Sequence, residues 1–270
     1  MEKKSTIAVI NQKGGVGKTT TVINLATALS ILGQKNLIID LDPQGNATTG
    51  LGKSNNDENK NIYNLLIKKI ELNEVIQNTD IKNLDIIGSN VNLSGLEVET
   101  ANDSDRAFVL KQILDKGRKD LLSQYDNIFI DCPPSLSLLT IMALVASAEL
   151  LVPLQTEFFA LEGITQLVKT IDRIKVNLNP DLKVRGILLT MFDKRNKLSS
   201  QVDKEARNYF KEKVYETVIP RNVRLSEAPS HGLPCVIYDK TCLGSKSYLK
   251  LADEFLVKKN LNMESRHENV

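Results

Sequence analysis

Tryptophan is absent from this 270-residue chain and aromatic residues make up only 5% of it, so its core must be assembled mainly from aliphatic side chains. Long apolar runs are missing too. No window approaches the roughly 18 consecutive apolar residues of a membrane span, and the run at residues 7–10 is too short for a signal peptide. Cysteine is scarce and odd in number. Cys132, Cys235 and Cys242 lack the spacing of a metal site, which suits a reducing cytoplasm and thiols acting as small apolar fillers. Neither sign of charge dominates, the formal net charge being +2, so a nucleic-acid partner has to be argued from where the charge lies. There is no internal repeat and no low-complexity segment, which sets aside solenoids and biased linkers.

What is present is the composition of an ordinary globular protein, 41% apolar and 25% charged, and long enough to bury one large core. Short runs rich in Ile, Val and Leu recur at 6–10, 36–41, 84–87, 127–131, 150–153, 185–190 and 217–219. Nearly continuous apolar strands of this kind suit a parallel sheet covered on both faces. Helical patterns occupy 20–32, 158–177, 199–214 and 247–261. The first is apolar on every side, so it is expected to be deeply packed, with Gly33 ending it. The alternation predicts an α/β fold, a single doubly wound, mostly parallel sheet with helices on both faces. Residues 1–262 are expected to form one domain and 263–270 a disordered tail.

Directly after the first strand stands Asn11-Gln12-Lys13-Gly14-Gly15-Val16-Gly17-Lys18-Thr19-Thr20, and then the apolar helix. The ordinary phosphate loop G-x-x-x-x-G-K-[ST] is not met strictly, because Gln12 holds the first glycine position. Three glycines nevertheless allow the backbone to turn its amides inward. Lys18 is placed to reach the β- and γ-phosphates and the Thr19 hydroxyl to sit on Mg²⁺, at the positive end of a helix. A glycine turn that binds nothing is the bland alternative, and the order strand, glycines, Lys-Thr, helix argues against it.

The second strand ends in Asp40-Leu41-Asp42-Pro43-Gln44-Gly45. Carboxylates at the carboxyl end of a parallel strand lie at the crevice where ligands bind, and residues two apart share a side of an extended chain. The same residues also suit turn formation and capping. A later run closes on Ile130-Asp131-Cys132-Pro133-Pro134-Ser135, an apolar strand ending in Asp like a Walker B element, weak taken alone.

With these elements in register, the sequence resembles the ParA/MinD superfamily of deviant Walker ATPases, through Lys13-Gly14-Gly15-Val16-Gly17-Lys18-Thr19-Thr20, the D-x-D pair and the D-C-P-P segment. The resemblance implies ATP and Mg²⁺ as cofactors and hydrolysis of ATP to ADP and phosphate. It assigns the nucleotide to residues 13–20, the metal to Thr19, Asp40 and Asp131, and catalysis to Lys13, Lys18 and Asp42. Lys13 would reach across a nucleotide sandwich dimer to the partner's phosphates, a cation supplied in trans. Asp42 would position the attacking water and Asp40 support the water shell of the metal.

Residues 40–52, 131–139, 157–163 and 219–232 narrow the likeness to the ParA or Soj partitioning branch, over roughly residues 5–258. In that branch the 219–232 loop lies over the base, which makes Pro220 and Asn222 candidates for adenine contact; an ordinary proline-bounded loop is the alternative. Arg195 and Arg224 match the branch's non-specific DNA-binding arginines, with Lys194 and Lys197 as supporting candidates. Charge offers a separate pointer. Residues 183–225 hold eleven Lys or Arg against five Asp or Glu, leaving that window at +6 and the remainder at −4, a distribution suited to a DNA backbone or to a solvated helix face.

The first strand starts too early for an operator-reading domain before it, so binding to double-stranded DNA is expected to be non-specific. The resemblance further implies an ATP-dependent homodimer, a stimulating ParB-like centromere-binding protein, and a cytoplasmic protein associated with the nucleoid, without a membrane partner. The alternative is a MinD-like membrane-associated regulator of cell division. It is disfavoured by a polar C-terminal segment where such proteins carry a lipid-binding helix. An iron-protein-like electron carrier is disfavoured because no second cysteine accompanies Cys132 suitably.

Overall fold

Seven strands appear in the computed structural model, which describes residues 5–157 and 160–267. They are β1 (Ser5–Val9), β2 (Asn36–Asp40), β3 (Gln77–Asn78), β4 (Leu84–Ile87), β5 (Asn127–Asp131), β6 (Glu149–Gln155) and β7 (Lys183–Thr190). Their order in the sheet is β3-β4-β2-β5-β1-β6-β7, parallel throughout except at the two-residue β3. Six longer helices cover it: α1 (Lys18–Ile31), α2 (Val109–Gly117), α3 (Leu138–Ala146), α4 (Ala160–Asn177), α5 (Lys197–Phe210) and α6 (Leu243–His267).

Successive strand side chains leave opposite faces, and each face has its own core. Ala8, Leu37, Ile39 and Ile130 pack with α2, α3, α4 and α5. Ile7, Val9, Ile38 and Phe129 pack with α1 and α6. Apolar side chains are needed on both sides, which is why these strands read as continuous hydrophobic runs. As its composition requires, α1 is buried along almost its whole length between sheet and α6. It ends as expected at Gly33 (φ +89°), where the Gly33 N–H bonds Ser30 O (3.1 Å) and the Gln34 N–H bonds Leu29 O (3.0 Å).

The strand order decides where chemistry can gather. β5 lies between β2 and β1, with Asp131 opposite Asp40 on one side and Val9 on the other. The carboxyl ends of three motif-bearing strands therefore meet at one edge of the sheet.

Several elements differ from the sequence expectation. The run 217–219 is not a strand. It follows β7 through Tyr215 N–H to Ile187 O (2.9 Å) and Ile219 N–H to Leu189 O (2.8 Å), but the Glu254 carboxylate takes the Glu216 and Thr217 amides (2.8 and 2.9 Å) and interrupts the ladder. The fifth helix stops at Phe210 because Lys211 turns to φ +51°. The last helix runs on to His267 and so covers most of the segment expected to be a tail; residues 268–270, like Phe158 at the start of the 158–177 pattern, lie outside the described residues. Among the described residues no helix is long and apolar enough to cross a membrane.

Candidate functional site

Between β1 and α1 the chain turns on two left-handed residues, Gly15 (φ +74°) and Gly17 (φ +90°), a conformation that a Cβ disfavours. Gly17 stands directly before α1, whose first amides have no acceptor within the helix. The loop is braced from outside. Asn11 donates through Nδ2 to Pro153 O (2.8 Å) and accepts the Lys13 N–H at Oδ1 (3.0 Å). The Thr190 hydroxyl donates to Val16 O (2.9 Å). Lys18 folds back so that Nζ donates to Lys13 O (3.1 Å). Gly14 and Gly15 stay exposed, leaving the rim of this turn open to an anion.

Behind the loop sit three carboxylates. Asp40 is fully buried, and its oxygens are occupied: Oδ2 accepts the Thr48 N–H (2.8 Å) and hydroxyl (2.7 Å), and Oδ1 accepts the Asp42 N–H (3.2 Å). Burial pushes its pKa up to about 6, against those hydrogen bonds. Asp42 is 7% exposed and accepts the Gln44 N–H at Oδ1 (3.0 Å). Asp131 is the odd one. It is wholly buried and, among the described residues, no well-formed hydrogen bond reaches either oxygen, although the Thr19 hydroxyl stands beside it. Burial, and then the charge of Asp40, drive its pKa well above the carboxylate range, while the neighbouring Thr19 hydroxyl and Lys18 oppose the shift. Burial also lowers the Lys18 pKa, with the charges of Asp131 and Asp42 countering.

A buried carboxylate without a donor is costly unless a cation meets it. Asp131 with Thr19 beside it therefore fits a hard divalent ion of the Mg²⁺ type, whose shell takes hydroxyl oxygen and water-bridged carboxylate. Asp40, expected among the metal's supports, spends its oxygens on fixing the turn that carries Asp42. Cys132 is buried and kept a neutral thiol by that burial.

Pro220 and Asn222 lie together beside the loop. With Gly17, Thr20, Met191 and Tyr248 they line a cleft of about 110 Å³ that opens directly off the start of α1. Asn222 also caps the short helix Val223–Glu227, its Oδ1 accepting the Arg224 N–H (3.0 Å). The half-exposed Lys13 ammonium pairs with Glu157. Both candidate DNA arginines are exposed and already paired, Arg195 with Asp193 (3.1 Å) and Arg224 with Glu227 (2.7 Å). The basic window is partly spent inside the fold. Arg185 is buried against Glu149 (2.6 Å) and stacked on Phe255, and Arg207 is held by Asp203 (2.8 Å).

Sequence reasoning missed Thr48, Glu157, Asn11 and Thr190 as parts of this site. Thr48 and Glu157 stood inside segments 40–52 and 157–163, which carried the family likeness. Nothing local marks Thr190, whose hydroxyl meets the loop only because β7 ends near it.

The protein family described as "AAA domain" matches residues 4–184. The chain is 48% identical over 250 residues to the chromosome partitioning protein ParA of Caulobacter vibrioides, covering 93% of each chain. It is 48% identical over 248 residues to the sporulation initiation inhibitor protein Soj of Bacillus subtilis, covering 92% of this chain and 96% of that one. Among solved structures it is similar to cobyrinic acid a,c-diamide synthase from Mycobacterium smegmatis with bound ATP analogue and magnesium, at a TM-score of 0.83, 33% identity and 94% of each chain.

Proposed function

Since this chain belongs to the ParA/Soj family of chromosome-partitioning ATPases, we propose that it works as an ATP-gated dimer that holds double-stranded DNA without reading sequence and lets go on hydrolysis. The observation that carries the nucleotide half is Asp131, a buried carboxylate with no well-formed hydrogen bond among the described residues and the Thr19 hydroxyl beside it, at the meeting of three strand ends behind a glycine loop. The amides of residues 13–20 bind the phosphate tail of ATP, and Lys18 leaves the Lys13 carbonyl to meet the terminal phosphates. Thr19 and Asp131 hold Mg²⁺, which supplies charge neutralisation on the phosphates. Asp42 orients the attacking water, and Asp40 fixes Asp42 through its amide. Adenine occupies the cleft beside Pro220 and Asn222. Lys13, once free of Glu157, serves the partner's nucleotide across the dimer.

The DNA half rests on exposed arginines in the basic window. DNA phosphates displace Asp193 from Arg195 and Glu227 from Arg224, exchanges that cost little because ion pairs in full contact with solvent are screened and contribute little. Dimerisation doubles this weak surface, a ParB-like partner stimulates turnover, and the protein resides on the nucleoid. The test is the double variant Arg195→Glu, Arg224→Glu. It should bind Mg·ATP like the parent yet fail to co-sediment with DNA, where the parent co-sediments at low salt and is released by added salt. DNA retention by the double variant would place the surface elsewhere.

A further inference from the structure

Two of the three cysteines, left as apolar fillers by the sequence, meet in space. Cys235 begins the one-turn helix Cys235–Tyr238, and Cys242 stands immediately before α6. Their sulfurs are 3.5 Å apart, and the Ser245 hydroxyl lies 3.3 Å from one and 3.4 Å from the other. The two thiols are not equivalent. Cys235 is 1% exposed, and burial pushes its thiol up to about 12. Cys242 is half-buried and its sulfur accepts the Ser245 N–H (3.4 Å) at the start of a 25-residue helix, so a negative sulfur there has a donor in place.

The segment between them holds Arg224. Tyr238 OH donates to Glu227 Oε1 (3.0 Å), whose Oε2 accepts from Arg224 (2.7 Å). Asp239 Oδ2 faces Arg224 Nε at 3.5 Å, while its Oδ1 accepts the Thr241 and Cys242 amides (3.0 and 3.1 Å). The Val236 N–H bonds Asn24 of α1 (3.2 Å). Both counter-charges of Arg224 are therefore set by residues 238–239, which lie inside the loop that a 235–242 link would close.

We propose that Cys235 and Cys242 are a redox-modifiable pair that a peroxide closes to an intrachain disulfide, and that closure pins the Tyr238–Asp239 turn against Arg224. The Cys242 thiolate attacks the peroxide, its O–O bond breaks, and a sulfenic acid and one water result. The Cys235 sulfur then attacks the sulfenic sulfur; the S–S bond forms, the S–O bond breaks and a second water leaves. Two thiols lose two electrons and two protons, and the peroxide is reduced to two waters.

The effect on DNA rests on the role proposed above for Arg224, and the test separates the two. Full-length protein is treated with hydrogen peroxide, blocked with a maleimide, and followed by intact mass and peptide mapping. The expected product has lost two hydrogens, carries a 235–242 cross-link that dithiothreitol reverses, and forms equally in Cys132→Ser but in neither Cys242→Ser nor Cys242→Ala. Oxygen adducts at Cys242 without a cross-link, or a cross-link between chains, would overturn the pairing. Amide exchange over residues 236–242 should slow by about tenfold in the oxidised protein; unchanged exchange would overturn the pinning. DNA co-sedimentation should fall on oxidation and recover on reduction. If the cross-link forms while retention stays intact, and Arg224→Glu alone removes retention, the clamp is wrong and the DNA surface stands. If Arg224→Glu leaves retention intact, the DNA surface is wrong whatever the cysteines do.

Discussion

Replacing Asp131 by Asn should make the nucleotide-free protein more stable and the nucleotide-bound protein less so. The carboxylate is wholly buried, has no well-formed hydrogen bond among the described residues, and shares its surroundings with Asp40 and Asp42. A buried polar group left without a partner costs about 1–3 kcal/mol, and the amide carries no charge to desolvate. Taking about 2 kcal/mol, and about 2–4 °C per kcal/mol for a chain of this size, the apo variant should melt roughly 4–8 °C above the parent. With Mg·ATP at about a hundred times its Kd, the parent gains about 2.7 kcal/mol. The variant, having lost its anionic contact to the metal, gains far less, so the two melting curves exchange places. Differential scanning calorimetry with and without Mg·ATP reads both.

The pH dependence has a definite sign. A carboxylate whose folded pKa lies above its unfolded value holds a proton in the native state where the unfolded chain has released it. Stability therefore falls as pH rises from the unfolded value of about 4 through the folded one. The advantage of Asp131→Asn should be smallest near pH 4 and grow toward neutrality. An apo variant less stable than the parent at pH 7 would refute the view of Asp131 as a buried carboxyl whose ionisation costs stability until a cation meets it.

Lys18→Ala removes the cation that faces Asp131 and Asp42 along with the brace to Lys13 O (3.1 Å); calorimetric titration should show Mg·ATP binding weakened by at least about a hundredfold. Asp42→Ala should retain ATP binding and the ATP-dependent dimer on size exclusion, while phosphate release falls by about 10²–10⁴-fold. Gly186→Ala should destabilise the fold by about 1–3 kcal/mol in urea melts, since a Cβ there would come 2.4 Å from the Tyr215 ring and 3.1 Å from Lys213 O.

Most of the fold was legible because the parallel strands are apolar on both faces and carry their motifs at their ends. β2, β4 and β5 lie where the Ile-Val-Leu runs place them, to within a residue. β3 was invisible because Gln77 and Asn78 have no apolar signature and pair only with Ile86 and Asp85 of β4. The run 217–219 misled because its apolar side chains reflect burial of Ile219 against the α1 side of the sheet, while Glu254, distant in sequence, takes the amides a ladder would need. Within the site, Lys18 and Asp131 are legible from the order of motifs. The contact of Lys13 with Glu157 and the closure of Asp40 by Thr48 are tertiary facts, and no spacing rule contains them.

The charge balance bears on the dimer proposed above. Two carboxylates, Asp131 and Asp42, act on Lys18, with Asp40 acting on Asp131, and a triphosphate adds further negative charge, so binding needs cations brought from outside. On the proposed reading Mg²⁺ would meet the Asp131 side, and amides at the start of α1 would meet the phosphates without adding a full charge. What is still lacking is a cation that arrives as charge develops on the transferring phosphoryl group. Lys13 stands in the same loop but is half exposed and turned to Glu157. Its ammonium is held by Glu157 while its carbonyl accepts from Lys18. Under the function proposed above, a lysine so placed would serve a facing copy, and Glu157 would hold its charge in reserve until a second nucleotide-loaded surface offered a better anion.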